Sequence, residues 1–309
     1  MFIKTTDINS FKPLVKQLML LKPNSHKGQN GRVLIIGGSS LFHSSSIWAA
    51  EIASYFVDIV HYSSTKENNE IFLSLKKKFR NGIVVEQKDL DEYVKEDDAI
   101  LVGPGMLRKK ISNIKNQISK FHIVSKKELN NIKDEGEYTY KLTKYLIETF
   151  PNKRFVFDAG ALQMMDANWL LKFKIKPILT PHQKEFKQIF KKDIIDLSIE
   201  EKIKVVENCA KKYNCVILLK AIVDIISDGE QTYVVEGGNA GLTKGGTGDL
   251  LAGLVTSFYA KNNSLISAIL ASYLLKKTAD ILYEEKNTWY NIDDLKSRIP
   301  FVLREISVV

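Results

Sequence analysis

The sequence predicts a doubly wound α/β domain, a mostly parallel sheet with helices on both faces. Short apolar, β-prone runs alternate along the chain with longer segments of helical spacing. Several of these runs are apolar without period-two alternation, as in strands buried on both faces of a parallel sheet. Glycine-bearing loops follow some runs immediately, which places them at strand C-termini, the edge where open α/β sheets bind ligands.

In chain order the strands read Val33 to Ile36, Ile59 to Tyr62, Ile83 to Val85, Ala99 to Val102, Phe155 to Phe157, Ile178 to Leu179 and Val216 to Leu219. Helical spacing covers Ile47 to Phe56 and Ile199 to Lys212. Ile225 to Val235 reads as a hairpin turning at Asp228-Gly229. Leu250, Leu251, Leu254, Val255 and Phe258 open a helix, and after Gly253 the chain reads as helical to about Glu285. A last helix covers Ile292 to Ile306, with an interruption expected near Pro300. The stretch from about Lys109 to Lys153 reads as a helical insertion with a buried stripe of Tyr138, Leu142, Tyr145, Leu146 and Phe150. It is expected to be a surface elaboration without chemistry. No repeat or low-complexity linker divides residues 1–309, so a single domain is expected.

The composition narrows the function classes. Hydrophobic residues make up 44% and charged residues 26%, ordinary for a soluble globular protein. The net charge of +9 suits an anionic ligand, but the lysine runs lie on separate segments and no nucleic-acid recognition motif accompanies them. Nucleic-acid binding is therefore not expected. Only Cys209 and Cys215 are present, at a spacing that fits no common metal site and with the scarcity expected in a reducing compartment. The N-terminus has no signal-peptide pattern, and no apolar run approaches membrane-spanning length, so a cytoplasmic protein with no membrane partner is expected.

Chemistry concentrates at Asn239 to Gly253. Gly245 to Gly248 form a bare loop whose N–H groups point to the start of a helix, where the helix dipole adds to the attraction for an anion. Asp249 sits in the first turn, within reach of whatever the loop holds. An anion cradle beside a potential general base suits phosphoryl transfer to a hydroxyl. Gly37-Gly38, Gly103-Pro104-Gly105 and Asp158 each follow an apolar run, so these motifs converge on the same rim.

The glycine loop resembles that of the ribokinase-like superfamily, in which Gly-x-Gly-Asp supplies the anion hole and the catalytic base. Within it the likeness is greatest to the ADP- or ATP-dependent NAD(P)H-hydrate dehydratases. His26-Lys27-Gly28 through Gly37-Gly38-Ser39, Val102-Gly103-Pro104-Gly105-Met106, Asp158-Ala159-Gly160-Ala161-Leu162, Leu179 through Phe186 and Leu218 through Gly229 look like that family's motifs, in the same order. The resemblance implies a ribokinase-like fold and makes Asp249 the base, with Gly246 and Gly248 holding the transferred phosphate. It implies substrate contacts at Ser45, Gly105, His182 and Asp249, and nucleotide contacts at Lys220, Ala221, Ile222, Val223, Asp224 and Gly248. Asp158 and Glu185 would lie near a magnesium ion, and the phosphate donor would be ADP or ATP. The implied reaction restores hydrated NADH or NADPH by phosphorylating the ring hydroxyl and eliminating phosphate. A homo-oligomer is also implied.

The chain departs from the family pattern in several places. Gly160 stands where relatives often carry a second acid, Ala221 and Leu107 replace glycines, and Ser44-Ser45-Ser46 replaces Gly-Ala-Pro. The Ser45 hydroxyl is expected to cap the helix that follows. Two other readings stay open: a small-molecule kinase of the same superfamily acting on a vitamin-precursor alcohol, and a degenerate nucleotide-binding protein without activity.

Overall fold

The structure, a computed structural model, describes residues 1–19, 24–109, 124–129 and 131–307. The N-terminal part runs β1 (Phe2–Lys4), α1 (Lys12–Val15), β2 (Arg32–Ile36), α2 (Ser44–Ala53), β3 (Ile59–Ser63), α3 (Lys66–Ser74), β4 (Ile83–Val84), α4 (Leu90–Glu96) and β5 (Ala99–Val102). The middle holds α5 (Lys126–Leu129), α6 (Glu135–Thr149), β6 (Arg154–Phe157), α7 (Ala159–Met164), β7 (Ile178–Leu179), α8 (Gln183–Phe190) and α9 (Ile199–Tyr213). The remainder is β8 (Val216–Leu219), β9 (Asp224–Ser227), β10 (Thr232–Glu236), α10 (Thr247–Tyr259), α11 (Ser264–Lys286) and α12 (Ile292–Ser307).

The strands form one ten-stranded sheet in the order β1-β10-β9-β8-β7-β6-β5-β2-β3-β4. Pairing is parallel except β8 with β9 and β9 with β10. The neighbouring strands β2 and β5 pair Val33 with Ala99 through Ile36 with Val102. Alternate residues of β2 enter opposite cores. Val33 and Ile35 face α2, α10 and α11, while Leu34 and Ile36 face the layer of α6, α8 and α9. Burial on both faces accounts for the unbroken apolar runs in the sequence.

Three expectations need correction. The helix expected to run to Glu285 is two helices, because Asn263 ends the loop after α10 and its side chain accepts from the Ile266 N–H at 2.8 Å, capping α11. α12 runs through Pro300 without interruption. Proline removes one backbone donor there, and buried Ile299, Val302 and Ile306 hold the helix against the core on either side. β1, at the sheet edge, was not expected. Three residues carry too little pattern to read, and they form a strand because β10 offers a partner, with Phe2 opposite Val234.

Within the insertion, α6 buries Leu142, Tyr145 and Leu146, followed by Phe150, with Tyr138 partly buried, as the stripe predicts. Residues 110–123 and 130 of that segment lie outside the described residues.

Candidate active site

Five strand ends meet on one rim and are tied together by their backbones. Gly38 N–H donates to the Pro104 carbonyl at 2.7 Å, Gly103 N–H to Ile36 at 3.0 Å and Asp158 N–H to Val102 at 3.1 Å. Across the rim, Lys220 N–H donates to the Pro181 carbonyl at 2.8 Å. Ala159 takes a left-handed φ of 44° beside Asp158, a strained conformation of the kind that collects at functional sites. The acid that relatives often carry at the next position has no room: a Cβ on Gly160 would lie 2.3 Å from the Met106 carbonyl.

The glycine loop enters α10 through Gly246, whose φ of 100° suits glycine and whose Cβ, if present, would lie 2.7 Å from the Trp48 ring. Lys244 pins the loop by donating to the carbonyls of Thr288 and Tyr290. Thr247 N–H donates to the Lys244 carbonyl at 3.4 Å, and the next first-turn N–H groups of α10, Gly248 and Asp249, remain as donors for an anion. Gly248 lies beside Lys220, so a Cβ there would be 3.4 Å from the Lys220 ammonium.

Asp249 faces the centre of the rim. Burial raises its pKa to about 7, helped by the nearby Asp158 carboxylate and opposed by Lys220 and by a hydrogen bond with Ser45. Ser45 lies inside α2 and does not cap it, since the N-cap position is His43, which makes no capping bond. Its hydroxyl serves Asp249 instead. Lys220 donates to Asp158 Oδ1 at 2.7 Å, and the same oxygen accepts from Thr180 Oγ1 at 2.8 Å. Burial depresses the Lys220 pKa, but the carboxylates of Asp158, Glu185 and Asp249 outweigh it and the net shift is upward. Lys220 therefore stays charged among these acids.

His182 is half-exposed at 49% and sits beside Lys220, the two paired by a parallel bridge. Its Nδ1 accepts from the N–H groups of Lys184 and Glu185 at 3.1 and 3.2 Å, capping α8. The ring proton is thereby assigned to Nε2. Glu185 completes the capping box: Oε2 accepts from His182 N–H at 3.0 Å and Oε1 from Gln163 Nε2 at 2.9 Å. Each of its oxygens thus already accepts one hydrogen bond within the protein. Among the described residues no three His, Cys, Asp or Glu side chains are grouped to hold an ion.

Two compartments flank Asp249. On one side a cavity of about 430 Å3 is lined by Asp249, Ser45, Gly105, Phe42, Arg108 and Gln163. Arg108 donates to Gln163, whose amide in turn holds Glu185. On the other side, Lys220 to Val223 form a loop with Ile222 projecting at 92% exposure. Ala221 is not among the residues with positive φ, so its backbone does not need the glycine usual in relatives. Asp224, expected at the nucleotide, is buried. It accepts from Ala221 N–H at 2.9 Å and from the Ser272 hydroxyl at 2.7 Å, and Lys276 bridges the loop by donating to the Ile222 and Gly237 carbonyls at 2.8 and 3.2 Å. Its side chain holds the loop from within, and the exposed faces of the loop remain for a ligand.

Arg108, Gln163, Phe42 and Lys276 were not singled out from the sequence. Arg108 lies three residues beyond the Gly-Pro-Gly loop, a position that a closer reading of that motif would have reached; the others are placed by tertiary contacts alone.

A model of the NAD(P)H-hydrate dehydratase family matches residues 33–301. The chain belongs to the NAD(P)H-hydrate dehydratase family. It is 33% identical over 298 residues to the bifunctional NAD(P)H-hydrate repair enzyme Nnr of Methanocaldococcus jannaschii, covering 94% of this chain and 51% of that protein. It thus spans about half the length of that curated relative. It is also 30% identical over 276 residues to the ADP-dependent (S)-NAD(P)H-hydrate dehydratase of Nitrosopumilus maritimus, with 86% and 85% of the two chains covered. Among solved structures, the ADP/ATP-dependent NAD(P)H-hydrate dehydratase of Bacillus subtilis co-crystallised with ATP/Mg2+ superposes with a TM-score of 0.74 at 19% identity, over 95% of this chain and 96% of that one. That likeness establishes the ribokinase-like fold.

Proposed function

We propose that this dehydratase-family chain restores hydrated NADH and NADPH, using ADP or ATP as phosphate donor. The observation that carries the reading is Asp249: a carboxylate with a pKa near 7 at the start of a helix, between an anion-binding loop and a cavity of about 430 Å3. Asp249 takes the proton from the ring hydroxyl as that oxygen attacks the terminal phosphate of the donor. Gly246 and Gly248 present N–H groups to the transferred phosphate, and Lys220 offsets its charge. The new phosphate ester then departs as inorganic phosphate, and loss of the neighbouring ring proton restores the double bond. Ser45, Gly105 and His182 bound the substrate side; the exposed loop of Lys220, Ala221, Ile222 and Val223 receives the nucleotide.

Magnesium would arrive on the nucleotide phosphates, since the ion keeps most of its water and needs only one or two carboxylates. Asp158 fits this role through the carboxylate oxygen not shared by Lys220 and Thr180. When bound, the ion would neutralise phosphate charge. ADP is the favoured donor, supported by the ADP-dependent Nitrosopumilus relative.

The test is to incubate the pure protein with hydrated NADH, magnesium and either ADP or ATP, following the return of reduced-nicotinamide absorbance. Recovery above the no-enzyme control, faster with ADP, is expected. No recovery with either nucleotide overturns the reading, and a stable phosphorylated product would make the protein a kinase instead.

A further inference from the structure

The Gly-Pro-Gly loop separates two cavities. One faces Asp249; the second, of about 220 Å3, opens at the ends of β2 and β3. Both are lined by Met106 and Leu107, so a single pair of residues divides them. The far wall of the second cavity comes from the insertion.

The insertion is built into the cleft. The Glu135 carboxylate at the start of α6 accepts from Ser40 N–H at 2.9 Å and from the Ser40 hydroxyl at 2.7 Å. Ser40 precedes Leu41 and Phe42, which line the Asp249 cavity. On the opposite wall, α6 runs so close to Arg108 and Lys109 that a Cβ on Gly136 would lie 2.7 Å from the Lys109 Cβ. Asp134 adds an ion pair to Lys109 at 3.0 Å. One helix start therefore grips both walls of the cavity beside Asp249.

We propose that the second cavity is a subsite for the second nucleotide of the dinucleotide, the half that does not react. This rests on the reading given under Proposed function. Met106, Leu129, Ile132 and Tyr138 offer an apolar wall for the flat face of a base. Lys66 and Lys133, exposed at its mouth, meet phosphate charge. Contacts this far from the reacting ring are made equally in ground and transition states, so they act on KM and leave kcat unchanged.

The test compares hydrated NADH with hydrated reduced nicotinamide mononucleotide, each with ADP and magnesium. The wild-type protein is expected to show a KM for the dinucleotide lower by about 10-fold, a tenth of the concentration for one modest contact set. Ile132→Trp fills the cavity and Lys133→Glu reverses charge at its mouth. Each should raise the KM for hydrated NADH by about 10-fold while leaving the mononucleotide kinetics unchanged. The mononucleotide arm also reports whether each variant is folded. A dinucleotide preference that survives both substitutions overturns the subsite, as do equal losses for both substrates. Conversion of neither substrate by the wild-type protein overturns the underlying reading and the subsite with it.

Discussion

Asp249 combines two properties that compete: it must be ionised to accept a proton, and its burial resists ionisation. Burial and the Asp158 carboxylate raise its pKa to about 7, against Lys220 and Ser45. In the free protein, kcat/KM should therefore rise with pH through about 7 and level off above it. A flat profile between about pH 5 and 8 would count against Asp249 as the base. Asp249→Asn should lower turnover by roughly 100-fold or more with nucleotide binding kept, and near-normal turnover of a folded variant would reassign the base. Stability should move the opposite way. The folded-state pKa lies above the ordinary value of 3.8, so between the two the unfolded chain binds fewer protons and stability falls as pH rises. Asp249→Asn removes that loss, so its Tm should exceed that of the wild type at about pH 8, with the difference shrinking toward about pH 5. A lower Tm at the higher pH would show that the carboxylate is stabilising as an anion.

His182 has one observed role, capping α8, and one proposed, contact with the substrate, and substitutions can separate them. Nδ1 caps α8, and Nε2 lies 3.6 Å from Glu185 Oε1, too far for a hydrogen bond, so its N–H can serve a ligand. His182 lies beside Lys220, at the start of the Lys220 to Val223 loop. His182→Ala loses both functions, with a cap worth about 0.5–2 kcal/mol, whereas asparagine is itself a good N-cap. Both variants should raise KM for hydrated NADH, and only His182→Ala should lower Tm. A normal KM in His182→Asn would leave the residue with its capping role alone. Asp249 was legible as a candidate base because glycines and an acid at a helix start are a local pattern. The Ser45 bond to Asp249 was not, because it joins two helices that only the fold brings together, and local capping was the reading available.

At the scale of elements, the glycine loop and α10 form one unit whose proposed role is to present N–H donors to an anion. A Cβ on Gly248 would meet only the Lys220 ammonium, at the ordinary contact distance of 3.4 Å. Gly248→Val should push a branched side chain into the space between that ammonium and the phosphates, and calorimetric titration should show ADP and ATP affinity reduced by about 10-fold or more. Unchanged affinity for both nucleotides would mean that the phosphates bind elsewhere. Strands of the central sheet were legible to within a residue or two, because burial on both faces gives unbroken apolar runs. The break at Asn263 was hidden inside a long helical pattern, where one capping side chain sets the boundary. Pro300 misled in the other direction: its cost is local, and the packing of α12 against the core exceeds it. The insertion was readable as a helix from its stripe, but its place against the cleft depends on Glu135 meeting Ser40 nearly a hundred residues away.

Across the whole molecule, the order of the strands was not legible, because periodicity says which segments are strands and not which ones pair. That order matters for function. The Lys220 to Val223 loop, proposed for the nucleotide, hangs from β8 and β9, the cavity beside Asp249 from β2, β5 and β6, and one continuous sheet joins them. Both core layers use alternate residues of the same strands, so neither half of the cleft has a core of its own. Unfolding of the nucleotide half should therefore expose the other half as well. A ligand that binds the folded chain stabilises it by mass action, about 2.7 kcal/mol at a hundred times its dissociation constant. For a chain of 309 residues, with an unfolding entropy of about 2.1 cal/mol/K per residue, this corresponds to a rise of about 4 °C in Tm. Calorimetry with saturating ADP should show a single transition displaced by about that amount, with the substrate half moving together with the nucleotide half. Two transitions, only one of which responds to ADP, would show that the halves unfold independently despite the shared sheet.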